Sequence, residues 1–307
     1  MADRRTFLKT LAGGAAFLLA PTGKLSSYPS GTDNNAFAVV KGKDTAAAVR
    51  KAVELLGGMD SFVKEGETVF VKPNISWDKN PEQAATTNPI VVETIVTMVM
   101  EAGAKKVIVA DNTCNDARRS YKRSGIQEAA QKAGAKVPFM EKRKFTSMNL
   151  NGDVLKEWEV YTEAFEADKI INIPVAKHHG LSGVTLSMKN LMGLIGGRRD
   201  LLHQKLPESI VDLASFFKPE LTILDAVRIL KSNGPQGGTL NDVERRDTIA
   251  ASTDLVKIDA FGIDLFGDMF RKQGLSGFPH LQLAEKKGLG SSDYRTSGYI
   301  EIDLGQA

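Results

Sequence analysis

Residues 170–199 read IINIPVAKHHGLSGVTLSMKNLMGLIGGRR. The run Asp168–Ile173 is apolar and β-branched, and Pro174 ends it, which predicts a strand buried on both faces. Lys177, His178 and His179 follow in a loop with two glycines. From Val184 the apolar residues fall at 184, 188, 191 and 195. That is helical spacing, and it predicts a helix over Val184–Ile195. On that helix Lys189 and Asn190 flank the apolar stripe, with Thr185 one turn before Lys189. A strand delivering polar residues to a glycine loop, then a helix, is one half of a βαβ unit.

The rest of the chain repeats the pattern. Strands are expected at Ala36–Val40, Glu67–Lys72, Lys106–Ala110, Lys136–Phe139, Leu221–Asp225, Asp247–Ser252 and Ile300–Ile302. Helices are expected at Asp44–Leu56 with Asp44 as N-cap, from Asn88-Pro89 to Glu101, and at Arg118–Ala133 with a break at Gly125. Further helices are expected at Pro207–Phe217, Asp254–Phe266 and Leu281–Lys287. Residues 141–161 read as a hairpin or insertion, and the glycine-rich 267–299 as a lid or surface loop. Alternation of this kind means a layered α/β fold with a mostly parallel sheet and flanking helices. In such sheets ligands gather at the C-terminal strand ends. The polar clusters fall there: Lys72-Pro73-Asn74, Asp111-Asn112-Thr113, Lys177-His178-His179 and Asp225.

Composition narrows the function. The chain has 307 residues and one cysteine, Cys114. That excludes a disulfide framework, and no iron–sulfur cluster is expected, since a cluster needs several thiolates. Cys114 itself reads as a small, inert hydrophobe. Of 40 Lys and Arg, four lie in the first thirty residues, leaving 36 basic against 36 acidic residues beyond them. A nucleic-acid binder would carry a basic excess, so no nucleic-acid partner is expected. There is no dinucleotide fingerprint, P-loop or nucleophile-elbow motif.

The N-terminus reads as an address. Arg4-Arg5 with Phe7-Leu8-Lys9 and a short apolar run to Ala20 resembles a twin-arginine export signal. Residues 1–35 are assigned to this signal and a linker, and 36–307 to one α/β domain with room for two lobes. The apolar run is too short for a transmembrane span. The expected partner is the twin-arginine translocation machinery, and the expected location the periplasm or the outer face of the cytoplasmic membrane.

The candidate catalytic residues are His179, Lys189 and Asp111. His179 is the expected general acid/base, because imidazole titrates near neutral pH. Lys72, Asn74, Lys177, His178, Asn190, Asp225 and Asp259 are the candidate ligand-binding residues. The first turn of the 184–195 helix is expected to meet an anion beside Lys177. A metal is undetermined: neighbouring histidines on an extended segment do not converge on one ion. The expected function is an enzyme acting on a small carboxylate- or phosphate-bearing molecule. The alternative is a non-catalytic envelope protein that binds a solute in the same cleft.

Taken together, Val71-Lys72-Pro73-Asn74, Asn88-Pro89, Ala110-Asp111, Pro174-Val175-Ala176-Lys177-His178-His179, Lys189-Asn190-Leu191-Met192-Gly193 and Ala251-Ser252-Thr253-Asp254 to Asp259-Ala260 resemble the bacterial and archaeal family called domain of unknown function 362, over roughly residues 66–265. That resemblance implies a fold unit and a site but no reaction. The chain is also distantly similar to the nickel-pincer lactate racemase group, in which a histidine and a lysine ten positions apart serve a nicotinate-derived nickel cofactor held by the lysine. His179 and Lys189 have that separation, and His203 lies near, though out of register with, a further histidine of that group.

Overall fold

In a computed structural model, residues 36–296 and 298–305 are described. Residues 1–35, expected from the sequence to be an export signal and linker, lie outside them. The chain runs β1 (Phe37–Lys41), α1 (Thr45–Leu55), β2 (Thr68–Pro73), α2 (Pro89–Glu101), β3 (Lys106–Val109), α3 (Ala117–Arg123), α4 (Ile126–Lys132), β4 (Phe145–Asn149), β5 (Glu157–Tyr161) and α5 (Thr162–Glu166). It continues with β6 (Lys169–Ile173), β7 (Val175–His179), β8 (Gly183–Thr185), α6 (Ser187–Asn190), α7 (Leu206–Phe217), β9 (Leu221–Leu230) and β10 (Val243–Ser252). The final elements are α8 (Leu255–Asp264), α9 (Asp268–Arg271), α10 (Pro279–Lys286) and β11 (Tyr299–Asp303).

The main sheet has the order β11-β1-β10-β9-β6-β2-β3, with β7 and β8 branching from β9. β9, β6, β2 and β3 are parallel neighbours, β7 runs parallel to β9, and β1 parallel to β11. β10 is antiparallel to both β1 and β9, and β8 to β7. Side chains alternate across a strand, and the sequence uses this to feed two cores. Phe37, Val39, Phe70 and Ile108 pack on one face with α7, α8 and α10. Ala38, Val40, Val69, Val71 and Val107 pack on the other with α1 and α2. The fold is therefore α/β, a mostly parallel sheet between helical layers.

Caps fall where the sequence places them. Asp44, Asn88 and Asp254 each accept backbone N–H groups at the starts of α1, α2 and α8. Residues 141–161 form the β4–β5 hairpin. The 267–299 stretch is partly helical, holding α9 and α10. Lys136–Phe139 is not a strand; Lys136 makes a single bridge to Ile108.

The main correction concerns 175–195. Lys177, His178 and His179 are strand, not loop, and Val184–Ile195 is not one helix. Val184 and Thr185 continue the β7–β8 hairpin, α6 holds only Ser187–Asn190, and Leu191–Leu194 is a 3-10 turn. Val184, Met188, Leu191 and Ile195 are all buried. The same apolar spacing therefore serves three short elements pressed into one core. Two contacts break the helix. The Asp259 carboxylate of α8 captures the Ser187 and Met188 N–H groups and fixes the start at Ser187. Gly193 then passes so close to Asp111 that an added Cβ would lie 1.8 Å from its Oδ1.

Candidate active site

The C-terminal end of β2, the β7–β8 hairpin, α6 and the 3-10 segment Arg199–Lys205 enclose a cavity of about 650 Å³. Lys177, His179, Lys189, Arg199 and His203 line it, with Asn74, Asn190, Trp77 and Cys114.

A buried amide ladder forms its floor. Asn190 Oδ1 accepts from Lys72 Nζ at 2.9 Å and Asn74 Nδ2 at 3.0 Å. Its Nδ2 donates to Asn172 Oδ1 at 2.9 Å and to the Lys72 carbonyl at 3.2 Å. Both ends of the amide are saturated, so its orientation is fixed. Asn74 Oδ1 in turn accepts from Lys177 Nζ at 3.0 Å, and Lys177 also donates to the Ala85 carbonyl at 2.7 Å.

Above the floor, His179 Nδ1 accepts the backbone N–H groups of Leu181 (3.1 Å) and Ser182 (3.3 Å). Its Nε2 lies 3.1 Å from Lys189 Nζ. The His203 ring stacks on that of His179, centroids 6.3 Å apart. Arg199 crosses the rim, donating to the carbonyls of Asn112 (2.7 Å) and Thr113 (2.9 Å).

Burial depresses the basic groups, because the charged form loses water. Lys177 is pushed down to about 7, with Lys189 and Lys72 adding repulsion. Lys189 is pushed down to about 8, with Arg199 contributing. His179 falls to about 3, chiefly by burial and then by Lys189 and Lys177. The expectation that His179 titrates near neutrality is thus corrected: it is a neutral imidazole, and the two lysines titrate near pH 7–8 instead.

The remaining candidates sit elsewhere. Asp111 and Lys72 form a buried ion pair at 2.9 Å behind Gly193. Asp111 also accepts the Ile75 N–H. The pair braces the floor and does not line the cavity. His178 points away and accepts the Gly234 N–H through Nδ1. Asp225 accepts the Asn88 and Val227 N–H groups, and burial pushes it up to about 6. Asp259 accepts the Ser187 N–H and hydroxyl and is pushed up to about 7. The Ser187 and Met188 N–H groups at the start of α6 are therefore taken by Asp259 and not offered to an anion, contrary to expectation. Arg199, His203, Trp77 and Cys114 line the cavity without having been singled out for it. Arg199 and His203 sit on a segment with no periodic pattern, and only the Gly196-Gly197 turn before it hints that the chain folds back over the cavity.

The donors do not form a metal site. Among the described residues no group of three His, Cys, Asp or Glu side chains converges. Both nitrogens of His179 already face hydrogen-bond partners.

Comparison with known proteins places the chain. It is 30% identical over 221 residues to the thylakoid-associated protein sll1697 of Synechocystis, spanning 69% of this chain and 67% of that protein. The lactate racemase apoprotein of Thermoanaerobacterium thermosaccharolyticum superposes with a TM-score of 0.45 at 10% identity, over 74% of this chain and 56% of the racemase. A Thermotoga maritima protein solved by structural genomics gives a TM-score of 0.36 at 13% identity, over 80% of this chain and 60% of that one. The sequence profile of domain of unknown function 362 matches residues 69–264, well over half of the chain, and the chain belongs to that family.

Proposed function

We propose that the chain is an enzyme acting on a small carboxylate- or phosphate-bearing molecule held in this cavity. One observation carries the reading. Lys177, Lys189 and Arg199 line the cavity, and among the described residues none is in an ion pair with a carboxylate. The one lining acid, Asp200, is paired with Arg198. The Arg199 guanidinium and a Lys177 held as a donor, without a counter-ion in a buried setting, are costly unless an anion joins them. Anion binding supplies the missing charge and favours protonation of Lys177, whose ammonium already holds two acceptors.

Calorimetric titration with phosphate and with oxalate at low and high ionic strength tests this. Binding should weaken as salt rises, since partly exposed charge pairs are screened. Lys177→Met should weaken it further. Affinity indifferent to both salt and Lys177 would remove the anion reading.

The proposal extends to location. Arg4-Arg5 directs export of the folded chain by the twin-arginine route to the periplasm or the outer membrane face. The relative described as thylakoid-associated suits attachment at a membrane face. Among the described residues no helix is long and apolar enough to cross a membrane. A double Arg4→Lys, Arg5→Lys variant should accumulate in the cytoplasm with its fold unchanged, and cell fractionation reads this directly. Normal export of that variant contradicts the assignment.

A further inference from the structure

We propose that Lys189 is a nucleophile, and that the molecule taken by the cavity is a small oxo acid whose carbonyl carbon forms an imine with Lys189 Nζ. This rests on the cavity being an anion site, and it names the substrate class.

The argument begins at His179. Its Nδ1 accepts two backbone N–H groups, so Nδ1 carries a lone pair and no proton. A neutral imidazole then bears its proton on Nε2. That N–H faces Lys189 Nζ at 3.1 Å. A hydrogen bond needs one donor and one acceptor, and an ammonium would set two donors face to face. The arrangement is satisfied when Lys189 is a neutral amine that accepts from Nε2–H.

Lys177 is the useful contrast. Burial depresses both lysines, to about 7 and about 8. Their partners, not that small difference, separate their roles. Lys177 faces two acceptors, Asn74 Oδ1 and the Ala85 carbonyl, and so is held as a donor. Lys189 faces a donor. One lysine suits holding an anion and the other suits attack on carbon. Desolvation beside another cation, here Arg199, is a recognised way to free a lysine amine.

The chemistry balances without a further reagent. The Nζ lone pair attacks the carbonyl carbon, forming C–N while the C=O π pair moves to oxygen. One N–H proton is transferred to that oxygen, giving a neutral carbinolamine. Attack on carbon consumes the lone pair that accepted from His179, which frees Nε2–H to donate to the same oxygen. The carbinolamine then loses its hydroxyl, together with the remaining N–H proton, as water, leaving C=N. The carboxylate of the same molecule lies among Lys177 and Arg199.

The test begins with the full chain as purified, by intact mass and peptide mapping. A group already attached to Lys189 overturns the proposal, since the amine is then not available. The protein is next incubated with glyoxylate or pyruvate and sodium borohydride, and the reduced adduct is mapped. We expect Lys189 to be labelled at least ~tenfold faster than any other lysine, as a desolvated amine should be. Labelling at that position should be lost in Lys189→Arg, and excess oxalate should slow it in the wild type. Labelling spread over exposed lysines with no preference for Lys189 overturns the proposal. So does labelling of Lys189 by the neutral aldehyde butanal as fast as by glyoxylate. Salt-sensitive oxalate binding with no adduct at Lys189 refutes the imine and leaves the anion site standing. The wild-type map does not depend on how any variant folds.

Discussion

Gly193 shows how one residue fixes the cavity floor. Its backbone lies against the buried Lys72–Asp111 pair, and an added Cβ would sit 1.8 Å from Asp111 Oδ1 and 2.7 Å from Lys72 Nζ. Gly193→Ala must push that pair apart, and a disturbed buried pair is costly because each charge loses its partner. We expect a loss of more than ~2 kcal/mol in urea unfolding, together with weaker oxalate binding. An unchanged unfolding midpoint would show that the turn has slack. At this scale the sequence was informative about residue type and less so about role. Lys177, His179 and Asn74, read at strand ends, and Lys189 and Asn190, read on the helix that follows, line one cavity. Asp111, Lys72, His178 and Asp225 are equally polar and equally near strand ends, and Asp259 sits on a helix, yet each is engaged by a partner outside the cavity. Which side of a strand a residue faces, and who meets it there, depends on segments a hundred residues away.

At the scale of elements, Asp259 of α8 starts α6 from outside. It accepts the Ser187 N–H at 2.6 Å, the Ser187 hydroxyl at 2.5 Å and the Met188 N–H at 3.3 Å. Asp259→Ala leaves those donors buried and unpaired, which costs ~2–4 kcal/mol. Lys189 and Asn190 lie within the turn that Asp259 anchors, so the same variant should lose anion binding even where it stays folded. Chemical unfolding and oxalate calorimetry read the two effects separately. Full binding in a destabilised Asp259→Ala protein would detach α6 from the site. This capping also explains why Val184–Ile195 misled as a sequence. Periodicity reports which residues are buried, and it reported them correctly. It does not report that a carboxylate from α8 and a glycine turn divide the buried run into strand, helical turn and 3-10 turn. The longer elements α1, α2 and α7, with helical patterns and local start signals, were legible; the bridge at Lys136 was not.

For the whole molecule, the depressed lysines make stability depend on pH. Lys177 binds its proton below about 7 when folded and near its ordinary 10.5 when unfolded. Between those values the unfolded chain holds more protons, so raising pH favours the folded state. Stability should climb from pH 7 towards pH 10, each unit of difference being worth ~1.4 kcal/mol at most. Lys189 acts in the same direction. Lys177→Met should flatten the slope of the urea midpoint between pH 7 and 9; an unchanged slope would place the titration elsewhere. The sheet order has a different consequence. β1 enters between β10 and β11, pairing Phe37 with Ser252 on one side and with Tyr299 on the other. A strand made almost first is bordered by two made almost last. During synthesis it stays without its ladder until some two hundred residues have followed, so this seam of the sheet cannot close while the parallel strands β2, β3 and β6 are being made. Any factor that guards the growing chain therefore has residues 37–41 to shield until β10 has emerged.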